Sequence, residues 1–305
     1  MKSEKNFELT HRLRRAEEFE GGGKLLHAIQ MYQAITDDFH DDPTAWYKLV
    51  EIYEKMGKED SAMNLIEEML EQFNDDEDIR LFAGHFYFKH QMWEDSIRVL
   101  ENLEDMNFDT ITYFIYGLSC FHTGRFEDAI QKLSLFLELE KDSAFLGDTN
   151  LYLAECYMIL GKLNVALPHL ERAAQLMPTN PEVYHFLAAY YFQIKMTAHA
   201  AEHIETAISL GATMTGTWEL GAMIYEKMKD MSRLERLCRK YIAEENEPSP
   251  VMFNALARAV LEKNKYSEAE GYLRSSLAID PNDRDTIELM NMLNKKRDDD
   301  LVKDI

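Results

Sequence analysis

The chain has 305 residues, of which 55 are acidic and 33 basic, giving a formal net charge of -22, and it is 46% hydrophobic and 11% aromatic. That aromatic content, with only 13 Gly and 7 Pro, excludes disordered, collagenous and low-complexity chains and leaves a folded protein of one to three domains or one repeat array. The acidic excess repels phosphate backbones and anionic headgroups, so neither nucleic acid nor a membrane surface is an expected partner.

The first residues, MKSEKNFELTHRLRRAEEFE, contain no apolar core of signal-peptide length. The longest apolar run, Phe186 to Ile194, includes Gln193 and falls far short of the roughly 18 residues a bilayer span needs. A cytoplasmic location is the resulting expectation. Cys120, Cys156 and Cys238 are far apart and form no CxxC pair, which reads as core thiols in a reducing compartment.

Along the chain one pattern returns about every 34 residues. A small residue recurs at Ala28, Ala62, Ser96, Ala129, Ala166, Ala200 and Ala269, with Leu234 in the one gap. Ahead of each lies a second series, Ala16, Val50, Gly84, Gly117, Ala154, Ala188, Ala222 and Ala257. A third, mostly aromatic, follows one helical turn later: Phe19, Tyr53, Tyr87, Cys120, Tyr157, Tyr191, Tyr225 and Val260. A fourth, one turn before the second, reads Arg12, Trp46, Arg80, Tyr113, Asn150, Tyr184, Trp218 and Phe253. Spacings of three and four put the large and small residues on one helical face, and small residues on two helices let the backbones approach. Gly23, Gly57, Gly124, Gly161 and Asn264 share one register between the two predicted helices, where a left-handed residue ends a helix. Each predicted unit is a helical hairpin with one apolar face, which the next hairpin must cover, so the array becomes a solenoid.

These residues resemble the tetratricopeptide repeat family, whose pattern is W-x2-L-G-x2-Y, then Ala, an aromatic or aliphatic residue, and Pro. The closest individual matches are Trp46, Leu49, Tyr53 and Ala62; Tyr113, Gly117, Ala129 and Leu133; Leu153, Ala154, Tyr157, Ala166 and Pro178; and Leu256, Ala257, Ala269, Leu273 and Pro281. The resemblance implies an all-α, right-handed α-solenoid of about eight hairpins forming a single domain over residues 1–305. The predicted repeats cover about 9–42, 43–76, 77–109, 110–146, 147–180, 181–214, 215–249 and 250–282, with a capping helix at 283–303. Arg12 and Leu234 depart from the pattern, and the longest interval between small residues, Ala129 to Ala166, implies three extra residues in the loop around LEKDSAFLGDTN.

The resemblance also implies that first-helix positions line a concave groove. At position 12 these are Glu20, Glu54, Phe88, Phe121, Met158, Phe192, Glu226 and Leu261. Position 5 gives Leu81, Phe114, Leu151 and His185, and position 9 gives Glu51, His85, Leu118, Glu155, Ala189 and Met223. With His122 and Glu219 these define an apolar floor in repeats three to six and glutamates around it. Such a groove suits a partner protein segment, an apolar peptide or amphipathic helix with basic flanks. The function expected is a noncatalytic interaction scaffold or adaptor with no cofactor and no bound metal. The alternatives are a chaperone shielding a client and, third, a metal-dependent hydrolase using His199-Ala-Ala-Glu202-His203, an H-x-x-E-H pattern. In the repeat register Ala200 is a packing residue, so that pair is expected as solvated surface histidines. Self-association through the terminal repeats, near Leu261, also remains open. The chaperone-tail clamp of some relatives needs Lys at position 5 with Asn at 9, a combination no repeat here supplies, and Gly21-Gly22-Gly23-Lys24 is a turn rather than a phosphate loop.

Overall fold

The computed structural model describes residues 2–101, 103, 109–244 and 246–303. Among them are seventeen helices and no strand. In order they are α1 (Lys2–Gly21), α2 (Leu25–Asp38), α3 (Thr44–Lys55), α4 (Glu59–Gln72), α5 (Glu77–Lys89), α6 (Trp93–Leu100), α7 (Thr110–His122), α8 (Phe126–Leu139) and α9 (Leu146–Ile159). They continue with α10 (Leu163–Leu176), α11 (Pro181–Gln193), α12 (Thr197–Ser209), α13 (Thr215–Met228), α14 (Met231–Ala243), α15 (Pro250–Leu261), α16 (Tyr266–Ile279) and α17 (Arg284–Lys303). Consecutive helices pair as hairpins, and the fold class is an all-α solenoid. No described helix is long and apolar enough to cross a membrane.

One turn closes every hairpin. After α1 the amide of Gly23 donates to Glu20 O and that of Lys24 to Phe19 O, the paired bonds of a Schellman motif. The same two bonds recur at Gly57 and Lys58, Gln91 and Met92, Gly124 and Arg125, Gly161 and Lys162, Lys195 and Met196, Lys229 and Asp230, and Asn264 and Lys265. The glycine register read from the sequence is thus a left-handed position throughout. In three hairpins it is held by side-chain-bearing residues that the sequence pattern did not mark: Gln91 (φ 59), Lys195 (φ 64) and Lys229 (φ 58).

The small-residue series meet inside the hairpins. Ala16, Ala28, Ala62, Ser96, Ala129, Ala154, Ala166, Ala188, Ala200, Ala257 and Ala269 are wholly buried. A Cβ on Gly117 would lie 2.7 Å from Leu133 Cγ, and one on Gly84 2.6 Å from Leu100 Cδ2, so the glycines admit leucines from the facing helix. Ser96 Oγ adds a bond across its hairpin, donating to Gly84 O at 3.0 Å. The departures are absorbed locally. Arg12 donates to Ala34 O at 3.0 Å and to Asp38 at 2.6 Å and lies over the Phe39 ring, satisfying the carbonyl end of α2 in place of an aromatic plug. Leu234 is completely buried.

Four first helices, α5, α7, α11 and α15, are started by side-chain caps: Asp76, Asp109, Asn180 and Ser249 each accept from a backbone amide of the first turn. Two of the three extra residues between Ala129 and Ala166 lie in a six-residue connection, 140–145, where 73–76 and 177–180 have four, and the third lengthens α9 relative to α11. α1 begins at Lys2, ahead of the repeat start expected near residue 9. The end of the third predicted repeat, residues 102 and 104–108, lies outside the described residues.

The chain divides into two compact units, Met1–Phe136 and Leu137–Ile305, the boundary falling within α8. In the second unit α9, α11, α13, α15 and α17 contact one another in a row, while α10, α12, α14 and α16 each pack on their own hairpin partner and on the next first helix. First helices therefore form an inner layer and second helices an outer one. In the first unit α5 and α7 touch in the same way.

Candidate functional site

In the first unit the inner face carries an aromatic cluster where the first helices end. Phe88 meets Trp93 edge-on at 5.4 Å, Trp93 stacks on His122 at 4.3 Å, and Phe121 meets both His122, at 5.3 Å, and Phe126, at 6.0 Å. His122 is exposed and the other four are half-buried. Trp93 and Phe126 were not singled out from the sequence. Each is the first residue of a second helix, directly after the closing turn, a place occupied in other hairpins by Leu25, Leu163, Met231 and Tyr266; that recurrence is the signal that marks them.

Other predicted floor residues turn inward. Phe114 and Leu118 are 6% exposed, and Leu151 in the second unit 5%. Phe114 packs against Phe136 at 5.4 Å. These three are core, because position 5 of a first helix and, at Leu118, position 9 face the neighbouring helices. Leu81 stays half-buried. His85 Nε2 lies 2.7 Å from Thr112 Oγ1, and burial lowers its pKa against the opposing pull of Asp109, so it is a neutral hydrogen-bonding ring near pH 7.

The predicted glutamates separate into two kinds. Glu51 pairs with Lys48 at 3.0 Å; Glu54 with Lys89 at 2.9 Å and His90 at 3.0 Å; Glu226 with Arg258 at 2.9 Å; and Glu219 accepts from Ser249 Oγ at 2.6 Å. Arg258 also binds Asp285 at the start of the last helix. These carboxylates are occupied by the protein's own donors and do not form the open acidic rim expected from the sequence. Position 12 of one hairpin lies beside position 13 or 9 of the next, and where that neighbour is Lys or Arg the pair closes.

Glu155 is the exception. It is half-buried on the inner face of α9 with no hydrogen bond or ion pair to any described residue. Burial, and then the nearby Glu182 carboxylate, push it up to about 7. Asp148, two helical turns earlier, is also raised by its burial. Met158 on α9 and His185 and Phe192 on α11, all predicted for the groove, are half-buried. His185 Nδ1 is buried without a hydrogen-bond partner among the described residues, and burial lowers its pKa. Met223 on α13 is 50% exposed.

Farther along the second unit, a concavity of about 280 Å³ opens between α15 and α17, with Met231, Leu261, Leu289 and Met292 on its walls and Arg258 beside them. Leu261 itself is 5% exposed, so Met292, 54% exposed, is its reachable apolar group. The sequence marks this end, near Leu261, for self-association but not the concavity, since more than half of its lining comes from the cap, outside the repeat register.

The HAAEH segment has another use. His199 stacks on Tyr191 at 5.3 Å and His203 on the same ring at 5.2 Å, with Tyr184 also against His203. The pair is a ring clamp on the third-series tyrosine of its hairpin, and His203 is half-buried rather than solvated. No group of three or more His, Cys, Asp or Glu side chains among the described residues is placed to hold a metal. The three cysteines are buried, and none is in a disulfide among the described residues.

Two regions match family models described as tetratricopeptide repeat, residues 22–79 and 253–286. Among curated proteins, the chain is 21% identical over 255 residues to DnaJ homolog subfamily C member 3 of Gallus gallus, covering 78% of this chain and 49% of that one. It is 25% identical over 207 residues to the Homo sapiens protein of the same name, covering 63% and 39%. The chain thus spans half or less of the length of these relatives. Among solved structures, that of the APC/C hetero-tetramer Cut9-Hcn1 superposes with a TM-score of 0.54 at 17% identity, over 88% of this chain and 52% of that one. A tetratricopeptide repeat protein from Parabacteroides merdae gives a TM-score of 0.49 at 16% identity, over 93% and 98%. The likeness to solved structures is one of fold. Repeat matches lie near both ends of the array and one recurring turn closes every hairpin between them; the chain is a tetratricopeptide-repeat protein.

Proposed function

We propose that the chain is a noncatalytic scaffold whose inner faces take an apolar peptide or amphipathic helix of a partner protein, with a basic residue of that partner beside Glu155. The observation that supports this reading most is the aromatic cluster of Phe88, Trp93, Phe121, His122 and Phe126, which leaves large rings half-covered. Fully burying a large apolar side chain contributes about 1.5–3 kcal/mol and completing the burial of a half-covered one roughly half of that, so several rings together reach the scale on which interface anchors act. In the second unit Met158, Phe192 and Met223 offer a further apolar stretch, methionines adapting to guests of different shape. Glu155 supplies the preference for Lys or Arg, since an ionised carboxylate held without a cation gains most from one.

Selection from a random peptide library on the full-length chain tests this. Enriched sequences should share spaced apolar anchors flanked by Lys or Arg. Phe121→Glu should abolish their binding while far-UV circular dichroism stays helical. Enrichment of acid-flanked peptides, or binding indifferent to Phe121→Glu, refutes the assignment. The match to proteins named as DnaJ homologs favours a second reading, a chaperone that shields an aggregation-prone client. In that case the chain suppresses client aggregation while the library yields no common motif.

A further inference from the structure

The outer layer of the second unit carries a feature of opposite charge. α14 has Arg233, Arg236, Arg239 and Lys240 on a chain whose net charge is -22. Arg239 is committed, to Glu235 at 2.8 Å and to Glu268 and Tyr272. The other three share one helical face, at spacings of three, four and seven. They surround a concavity of about 230 Å³ closed on its far side by α12 and floored by Ile208, Leu237 and Tyr225.

The cations are loosely held there. Arg233 reaches Glu205 at 3.7 Å and Asp230 at 3.4 Å, and Lys240 reaches Glu244 at 3.6 Å. Arg236 forms no ion pair or hydrogen bond among the described residues. Glu205 is the one carboxylate in the lining, and it accepts the Tyr225 hydroxyl at 2.8 Å. Within the lining three cations face one already engaged acid, with Asp230 and Glu244 reaching Arg233 and Lys240 from outside it and Lys240 lying over the Trp218 ring.

We propose that this concavity docks an acidic segment of a partner protein, one in which Asp or Glu alternates with apolar residues. Charge complementarity selects the carboxylates. The floor of Ile208 and Leu237 selects an apolar side chain between them. A bare inorganic anion fits less well, because it leaves the apolar floor of Ile208 and Leu237 uncovered. A long polyanion would meet the acidic surface elsewhere on the chain. The proposal stands apart from the inner-face reading, since it uses the other helix layer and the opposite ligand charge. Together the two surfaces allow one chain to hold a basic-flanked and an acidic segment at once.

The test is fluorescence anisotropy with the full-length chain and a fluorescein-labelled peptide of alternating Glu and Leu. Binding should weaken several-fold as salt rises from about 50 to 200 mM, and fall about tenfold or more in Arg236→Glu. A paired Arg236→Ala, Lys240→Ala variant, milder in charge, should show the same direction with unchanged circular dichroism. Glu155→Gln and Phe121→Glu should leave it unaltered, which separates this site from the inner faces. No binding by the wild type, or equal binding by Arg236→Glu, overturns the proposal. So does displacement by inorganic phosphate or a single-stranded RNA at peptide-like concentrations, which would make the site one for bare anions or nucleic acid. Arg236-dependent self-association in sedimentation that excludes the peptide overturns it too, by making a second copy of the chain the occupant.

Discussion

Glu155→Gln removes one charge without changing shape, and its effect has a pH signature. Glu155 has its carboxyl raised from 4.5 to about 7 by burial and by Glu182. The folded chain therefore holds this proton more tightly than the unfolded chain does. Between those two values stability falls as pH rises, and the cost of the ionised group is fully present above about pH 7. At about 1.4 kcal/mol per unit the shift corresponds to an upper bound of roughly 3 kcal/mol, which water entering a half-buried inner face reduces to about 1–2 kcal/mol. Glu155→Gln should thus be more stable than wild type by about 1–2 kcal/mol near pH 8 and indistinguishable near pH 4. Urea unfolding followed by circular dichroism at both pH values measures this. An equal difference at the two, or a variant less stable near pH 8, refutes the account of Glu155 as an uncompensated carboxylate. A corollary concerns binding: a partner Lys or Arg brought to Glu155 lowers its pKa and expels a proton, so affinity for a basic-flanked peptide should rise through neutral pH.

Gly117→Ala should destabilise by about 1–2 kcal/mol, because the new Cβ meets Leu133 Cγ at 2.7 Å and its backbone nitrogen at 3.1 Å, which outweighs the helix-propensity gain of about 1 kcal/mol. Gly271→Ala in α16 meets nothing and should stabilise by about that gain, measured by the same urea series. Lys229→Gly, at φ 58, should raise the urea midpoint by relieving a left-handed non-glycine residue, worth about 0.5–1 kcal/mol after the entropy glycine adds to the unfolded chain. Arg258→Ala leaves Glu226 and Asp285 without their cation and should loosen α17, seen as faster proteolysis there, at a cost of about 1–2 kcal/mol for a half-exposed network. Trp93→Ala should weaken peptide capture without unfolding, whereas Phe114→Ala should cost about 3 kcal/mol of stability because that ring is core.

Hairpin packing was legible because it depends on residue size at fixed spacing. Ala28 and its successors mark where two backbones approach, and size is written in the sequence. The closing turn was legible only where glycine or asparagine filled it; Gln91, Lys195 and Lys229 pay the left-handed cost within a turn whose backbone bonds are the same, so composition hid them. The inner faces were less readable. Whether a position faces a guest or a neighbour depends on the angle between successive hairpins: Phe114, in the core, and Phe121, half-buried, lie seven residues apart on nearly the same face of α7. Ion pairing was harder still: Glu54 and Glu155 look alike in sequence, and only the presence of Lys89 on the next hairpin beside one of them tells them apart.

Adjacent hairpins in the second unit meet through their first helices and through one junction from each second helix to the next first helix. Packing from one hairpin to the next is extensive there, and one continuous apolar cluster runs from Ala188 to Leu293. Strain applied at one junction is therefore passed to its neighbours, as in a sprung stack, and a guest of unfitting width is met by small angular adjustments spread over several junctions.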